Sequence, residues 1–200
     1  MRLGLLLIAL MTQAIAAVSQ PVSTIRTPDV TYVLKMQSHA PEPSNPEAER
    51  RYVLQAFRAG EVRPRWTADV EPEARELYLV SPVLLTSSCF SGAYLSCTVQ
   101  AFATGTGREL WKASGRLGKI NPDFVLLWDD FFVSDDGPDL SVKLRVIRLR
   151  EGTLKRYALK VSPRGGCEGP VELLSVTAFS TSRVVVSLRD SCGLHTRTFR

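Results

Sequence analysis

From Val142 the chain alternates: Val142, Leu144 and Val146 are apolar, and Lys143 and Arg145 are charged. Alternation with a period of two predicts a strand with one buried face. The parity shifts at Ile147 and Leu149, which predicts a bulge. Strand candidates recur at 77–80, 83–88, 124–128, 131–136, 172–179 and 183–188. Turn residues separate them, as in an all-β chain. Long helical periodicity is absent beyond the first residues. Residues 45–54 could hold one helical turn, and the Pro-rich stretch 39–46 reads as a surface loop.

The pattern repeats. Val99–Trp111, VQAFATGTGRELW, slid back by 45 falls on Leu54–Trp66, LQAFRAGEVRPRW. Gln55, Ala56, Phe57, Gly60, Arg63 and Trp66 all recur, as Gln100, Ala101, Phe102, Gly105, Arg108 and Trp111. A weaker echo follows in VIRLREGTLKRYA, with Leu149 at the Phe position, Gly152 at the turn and Tyr157 near the Trp position. A last fragment, HTRTFR, places Phe199 in step. A period of roughly 45–50 residues suits the blades of a β-propeller. Each repeat is expected to hold four strands: an apolar one, one ending in Ser or Thr, one carrying Phe and one carrying Trp. The runs 77–80 and 124–128 are the first strands in this scheme, and 83–88 and 131–136 the second. Gly105, Gly107 and Gly152 are expected in turns that need positive φ. Trp66 and Trp111 are expected to pack between blades.

Ala101, Thr104, Gly105 and Trp111 carry a resemblance. The segment is similar to the repeat of quinoprotein-like (PQQ-like) propellers, which reads Ala-x-Asp-x-x-Thr-Gly-x-x-x-Trp. Gly107 is an extra glycine, Ala59 stands where the first copy would have Thr, and the Asp is missing from both copies. The resemblance implies a small or partial propeller of about four four-stranded antiparallel blades; a two-sheet β-sandwich is the alternative. It implies no cofactor, because quinone-dependent members are longer and carry metal ligands and a cofactor pocket. Non-catalytic members serve as scaffolds, binding modules and envelope factors. Residues 22–27 are expected to complete the last blade beside 194–200, or a second chain to complete the ring as a homodimer.

The first residues qualify this picture. Arg2 precedes an apolar run from Leu3 to Met11, and Ala14-Ile15-Ala16 fits a small-x-small cleavage site. Residues 1–16 therefore read as a signal peptide and 17–200 as one repeat domain, secreted or periplasmic. The run is too short to span a bilayer, and no later run qualifies. Four cysteines in an exported chain, Cys89, Cys97, Cys167 and Cys192, read as two disulfides, with three connectivities open. The blade layout selects among them. Cys89 and Cys97 flank a loop between second and third strands, Cys167 lies between blades, and Cys192 lies in the last such loop. Cys89–Cys97 and Cys167–Cys192 then pair without threading.

Candidate chemistry is sparse. The net charge of +5 is spread over scattered Arg rather than one basic face, which argues against nucleic acid. Asp129, Asp130, Asp135, Asp136 and Asp139 cluster but lack the alternating ligand pattern of a calcium loop, and Asp, Gly and Pro there suit a turn. No metal site is expected. His39 and His195 are the two histidines. Ser91 lacks the elbow that a Ser nucleophile needs. The best contact surface is the loop 88–97, where Phe90 and Tyr94 stand between two cysteines. The expected function is an exported, non-enzymatic scaffold or binding module with a protein or glycan ligand. The alternative is a hydrolase or cofactor-dependent enzyme whose site is assembled from inter-blade loops.

Overall fold

The computed structural model describes residues 18–38, 50–91, 95–129, 139–167 and 169–200. Among the described residues, fifteen strands form four separate antiparallel meanders. The first sheet holds β1 (Val18–Arg26), β2 (Val30–Ser38), β3 (Arg50–Arg58) and β4 (Trp66–Val70). The second holds β5 (Ala74–Val80), β6 (Val83–Ser91), β7 (Leu95–Ala103) and β8 (Glu109–Ser114). The third holds β9 (Arg116–Ile120), β10 (Phe124–Asp129), β11 (Leu140–Arg148) and β12 (Leu154–Val161). The last holds β13 (Glu172–Phe179), β14 (Val184–Asp190) and β15 (Gly193–Phe199). The chain is all-β as the alternation predicts, and four sheets of consecutive strands replace the two-sheet sandwich. No helix among the described residues is long and apolar enough to cross a membrane.

Three hydrophobic clusters glue the sheets in chain order. Leu34, Tyr52 and Leu54 of the first sheet meet Leu77, Leu84 and Phe102 of the second. Leu85, Val99 and Ala101 use the opposite face to meet Val125, Leu127 and Ile147 of the third. Leu126, Leu144 and Leu159 then meet Val176, Val186 and Leu188 of the last. The two middle sheets are thus buried on both faces, so β10 reads as a continuous apolar run and β6 is buried from Val83 to Ser88 without alternation. Full burial of each such side chain contributes about 1.5–3 kcal/mol.

The same fact corrects the expected bulge. β11 pairs with β10 and β12 without a register shift. Val142, Leu144 and Val146 face the last sheet, while Ile147 and Leu149 face the second. The apparent parity change is one strand buried on both sides. Residues 124–128 are the second strand of their sheet, not the first; β9, a short run interrupted by Gly118, takes the first place. The expected strand 131–136 falls entirely within a stretch, 130–138, that lies outside the described residues. Arg50–Leu54, assigned to a possible helical turn, opens β3. Residues 22–27 do not complete the last sheet: Val18–Arg26 pairs with β2 from Val18↔Ser38 to Arg26↔Thr31, and no ladder joins it to β15. The alternation of Ile25 and its neighbours suits a strand in either place, so local sequence does not choose the partner.

The tryptophans make the joints. The Trp66 indole donates from Nε1 to Thr104 O at 3.0 Å, in the β7–β8 turn of the next sheet. Trp111 donates to Leu149 O at 2.6 Å, in the β11–β12 turn of the sheet after. Each ring lies on a glycine of that turn. A Cβ at Gly107 (φ 69°) would come within 2.7 Å of Trp66 Cδ2, and one at Gly152 (φ 70°) within 2.9 Å of Trp111 Cβ. Tyr157 continues the series with its hydroxyl donating to Ser180 O at 3.1 Å. Gly107 is therefore the glycine the joint needs; it stands four residues before Trp111, the Gly-x-x-x-Trp spacing of the repeat, so Gly105 is the extra one. Gly105 adopts no left-handed φ and has open space around its Cβ position. In the first sheet the position 45 residues before Gly107 is Val62, which stands 92% exposed on a turn that receives no ring.

Candidate functional site

In the second, third and last sheets the end of the second strand lies beside the start of the first, where the connector from the previous sheet arrives: Ala74 pairs with Ser88, Arg116 with Trp128 and Glu172 with Arg189. Both disulfides sit at this end. Cys89 and Cys97 are direct neighbours across the β6–β7 ladder and are bonded, and Cys167 in the β12–β13 connector is bonded to Cys192 in the β14–β15 turn. The pairing expected from the repeat layout is the one observed.

A cleft of about 490 Å³ opens beside the first staple, walled by β5, β6 and β9. Phe90, 62% exposed, forms its rim. Tyr94 lies outside the described residues. The rest of the wall is mixed in charge: Glu73, Arg75, Glu76 and Arg116. Glu76 and Tyr78 are two apart on β5 and share a face. Burial raises the Tyr78 phenol above its ordinary value, and hydrogen bonding to Glu76 raises it further. Glu73 sits in the β4–β5 connector with φ 60°, a left-handed conformation uncommon for a residue with a Cβ. Its carboxylate pairs with Arg75 at 3.2 Å.

The connector is held from behind. Buried Gln100 accepts from Glu71 N–H at 2.8 Å and donates to Glu109 at 2.7 Å, and Lys112 pairs with Glu71. The Gln of the Gln-Ala-Phe repeat thus anchors the segment that carries Glu73. A pair of carboxylates, two guanidiniums, a phenol and an exposed ring make a rigid wall suited to a polar ligand with an apolar face.

The second staple carries a different arrangement. The Arg164 guanidinium donates to both oxygens of Asp190 at 2.9 and 2.7 Å, and Cys192 N–H adds a third bond at 3.0 Å. The Asp190 side chain has no exposed surface. The Arg164 bonds hold its carboxyl far below the usual carboxylate range, against the opposing effect of burial. The folded state thus has the lower pKa. The pair contributes its full stability above the unfolded value, about 3.9, and loses it as pH falls from there through the folded value. The stability gap between the native protein and an Asp190→Asn variant is expected to narrow between about pH 7 and about pH 2. Thermal melts at both pH values measure it, and a gap of constant size would show that Asp190 is not so coupled.

His195 Nδ1 is buried 3.8 Å from Asp190 Oδ2, with no hydrogen bond among the described residues. The one group of potential metal ligands among the described residues is Cys167, Asp190 and Cys192, and its two sulfurs are spent in the disulfide. Of the acidic cluster, Asp130, Asp135 and Asp136 lie outside the described residues, as does the side chain of Asp129; Asp139 is exposed. His39 and the Ser91 side chain also lie outside them. Sequence reasoning missed Glu73, Arg75, Glu76, Tyr78 and Arg116. Only the period-two placement of Glu76 and Tyr78 hinted at a shared face. No protein-family model matches the chain, and no curated protein does.

Proposed function

We propose that this protein is an exported, non-enzymatic binding module on a partial propeller scaffold of the PQQ-like kind. Its ligand is a protein segment or a glycan, and it docks at the end that carries the two disulfides. The observation that carries this reading is the cleft beside Cys89–Cys97, where exposed Phe90 stands over a charged wall. Rigid aromatics at the rim of a preformed cleft make effective contact residues. Two disulfides belong to an oxidising compartment, in keeping with a removable segment 1–16. The four consecutive meanders and the Trp-on-Gly joints support the repeat reading. Ring completion by a second copy belongs to the same reading, and native mass spectrometry of the secreted form reads it.

Two measurements test the proposal. The secreted chain should begin near Ala17 and, unreduced, weigh four hydrogens less than its sequence. Screened against immobilised glycans and peptides, it should retain a ligand that Phe90→Ala loses by about tenfold or more, at unchanged melting temperature. Retention unaffected by Phe90→Ala would remove the cleft from the account. Turnover in a screen of sugars, esters and quinones, abolished by Glu73→Gln or Glu76→Gln, would replace the binding module with an enzyme.

A further inference from the structure

We infer that a second cleft, of about 500 Å³ between β12 and β15, binds an oxyanion of the phosphate or sulfate ester type. Its lining includes Lys160, Arg164, His195 and Arg197, with Ser162 and Thr196. Asp190 is the carboxylate beside this group, and it is committed to Arg164. Lys160 and Arg197 pair with no carboxylate among the described residues. Arg197 instead lies over the Phe199 ring at 5.8 Å. A concave wall of one charge sign focuses potential and concentrates counter-ions.

The cleft is also built rather than incidental. Arg164 uses Nε and Nη2 on Asp190, and Nη2 also on Gly193 O, which fixes the guanidinium plane. The Cys167–Cys192 bond ties the connector that carries Arg164 to the turn that precedes β15. The nearby His195 Nδ1 is buried without a hydrogen bond. A fixed Arg with two further cations that pair with no carboxylate among the described residues matches an oxyanion with several acceptor oxygens. The last sheet has three strands among the described residues, so the outer edge of β15 carries no neighbour. Three of the lining residues, His195, Thr196 and Arg197, belong to this edge strand. This site is separate from the Phe90 cleft, so either can fail alone.

The test uses the secreted protein with both disulfides intact. Inorganic phosphate and inorganic sulfate are titrated while backbone and histidine-ring NMR shifts are followed. Saturable shifts confined to 160–164 and 195–197, weakening as salt rises, are expected. Lys160→Ala with Arg197→Ala should reduce affinity about tenfold or more at unchanged melting temperature. Arg58→Ala with Arg63→Ala, the same loss of charge on the first sheet, should not. Shifts that never saturate, that spread over the exposed arginines, or that survive the Lys160/Arg197 double change would overturn the site. Sedimentation with anionic phospholipid vesicles that depends on Lys160 and Arg197 assigns the ester to a lipid headgroup. Free-anion binding without sedimentation assigns it to a soluble or glycan-borne ester.

Discussion

Gly107→Ala is expected to destabilise the protein by about 3 kcal/mol, while Gly60→Ala costs about 1 kcal/mol. Both glycines have positive φ, 69° and 81°, so both substitutions force a Cβ into left-handed backbone. That strain alone costs roughly 1–2 kcal/mol. The two sites differ in what the new methyl meets. At Gly60 it meets nothing within 4 Å; at Gly107 it would run into the Trp66 ring. The ring cannot step aside cheaply, because its Nε1 is bonded to Thr104 O and its face packs near Tyr32. Overpacking adds about 1–3 kcal/mol. The interaction is therefore between two named residues, and a double-mutant cycle isolates it. In a Trp66→Ala background, Gly107→Ala should fall to about the Gly60→Ala value. Urea unfolding of the four proteins measures all the terms. Equal costs at the two glycines, or additive costs in the double variant, would remove the ring from the explanation.

The joint also marks what the sequence made legible. Ala and Trp recur because they hold the same place in the ladder of each sheet, whereas the two Gln differ: Gln100 accepts from the connector at Glu71 N–H, and Gln55 donates to Thr67 across its own sheet. Ala56↔Trp66 and Ala101↔Trp111 are the same cross-strand pair twice. The disulfide pairing was legible for a related reason, since a meander fixes which loops share an end. The turn glycine was harder. The alignment by letters matched Gly60 with Gly105, but the glycine that matters sits two residues later. Steric need belongs to the ring of the preceding sheet, 41 residues back for Gly107, and no local pattern contains it.

Other misreadings have physical causes too. A strand buried on both faces loses its alternation, so β11 mimicked a bulge at Ile147. Arg164 and Asp190 are 26 residues apart, and a scattered arginine looks solvated until its partner is placed. The Phe90 cleft draws on three strands from two sheets. Its Phe was visible because it neighbours a cysteine. Its acids were not, because Glu is common on any exposed strand and nothing in the sequence selects Glu73.

Removal of the Cys167–Cys192 bond is the second large effect, and it should act on one end of the molecule. In the chain-entropy account a separation of 25 residues corresponds to about 3 kcal/mol, and the separation of 8 in Cys89–Cys97 to slightly less. The two bonds nevertheless tie different things. Cys89 and Cys97 are already neighbours in a ladder, so the backbone hydrogen bonds of β6 and β7 hold them without sulfur. Cys167 belongs to the connector into the last sheet, whose other tie is the Arg164–Asp190 pair. The last sheet meets only the third across its hydrophobic cluster. In a stack of this kind an end unit opens on its own when its ties are cut. Cys167→Ser with Cys192→Ser should therefore speed amide exchange in β13, β14 and β15 by about 100-fold and leave β2, β3, β6 and β7 protected. Lowering the pH through the Asp190 titration then weakens the Arg164–Asp190 tie of the connector and should widen the difference between the sheets. Exchange that accelerates equally in all four sheets would mean that the stack unfolds as one unit and that the disulfide acts on the whole chain.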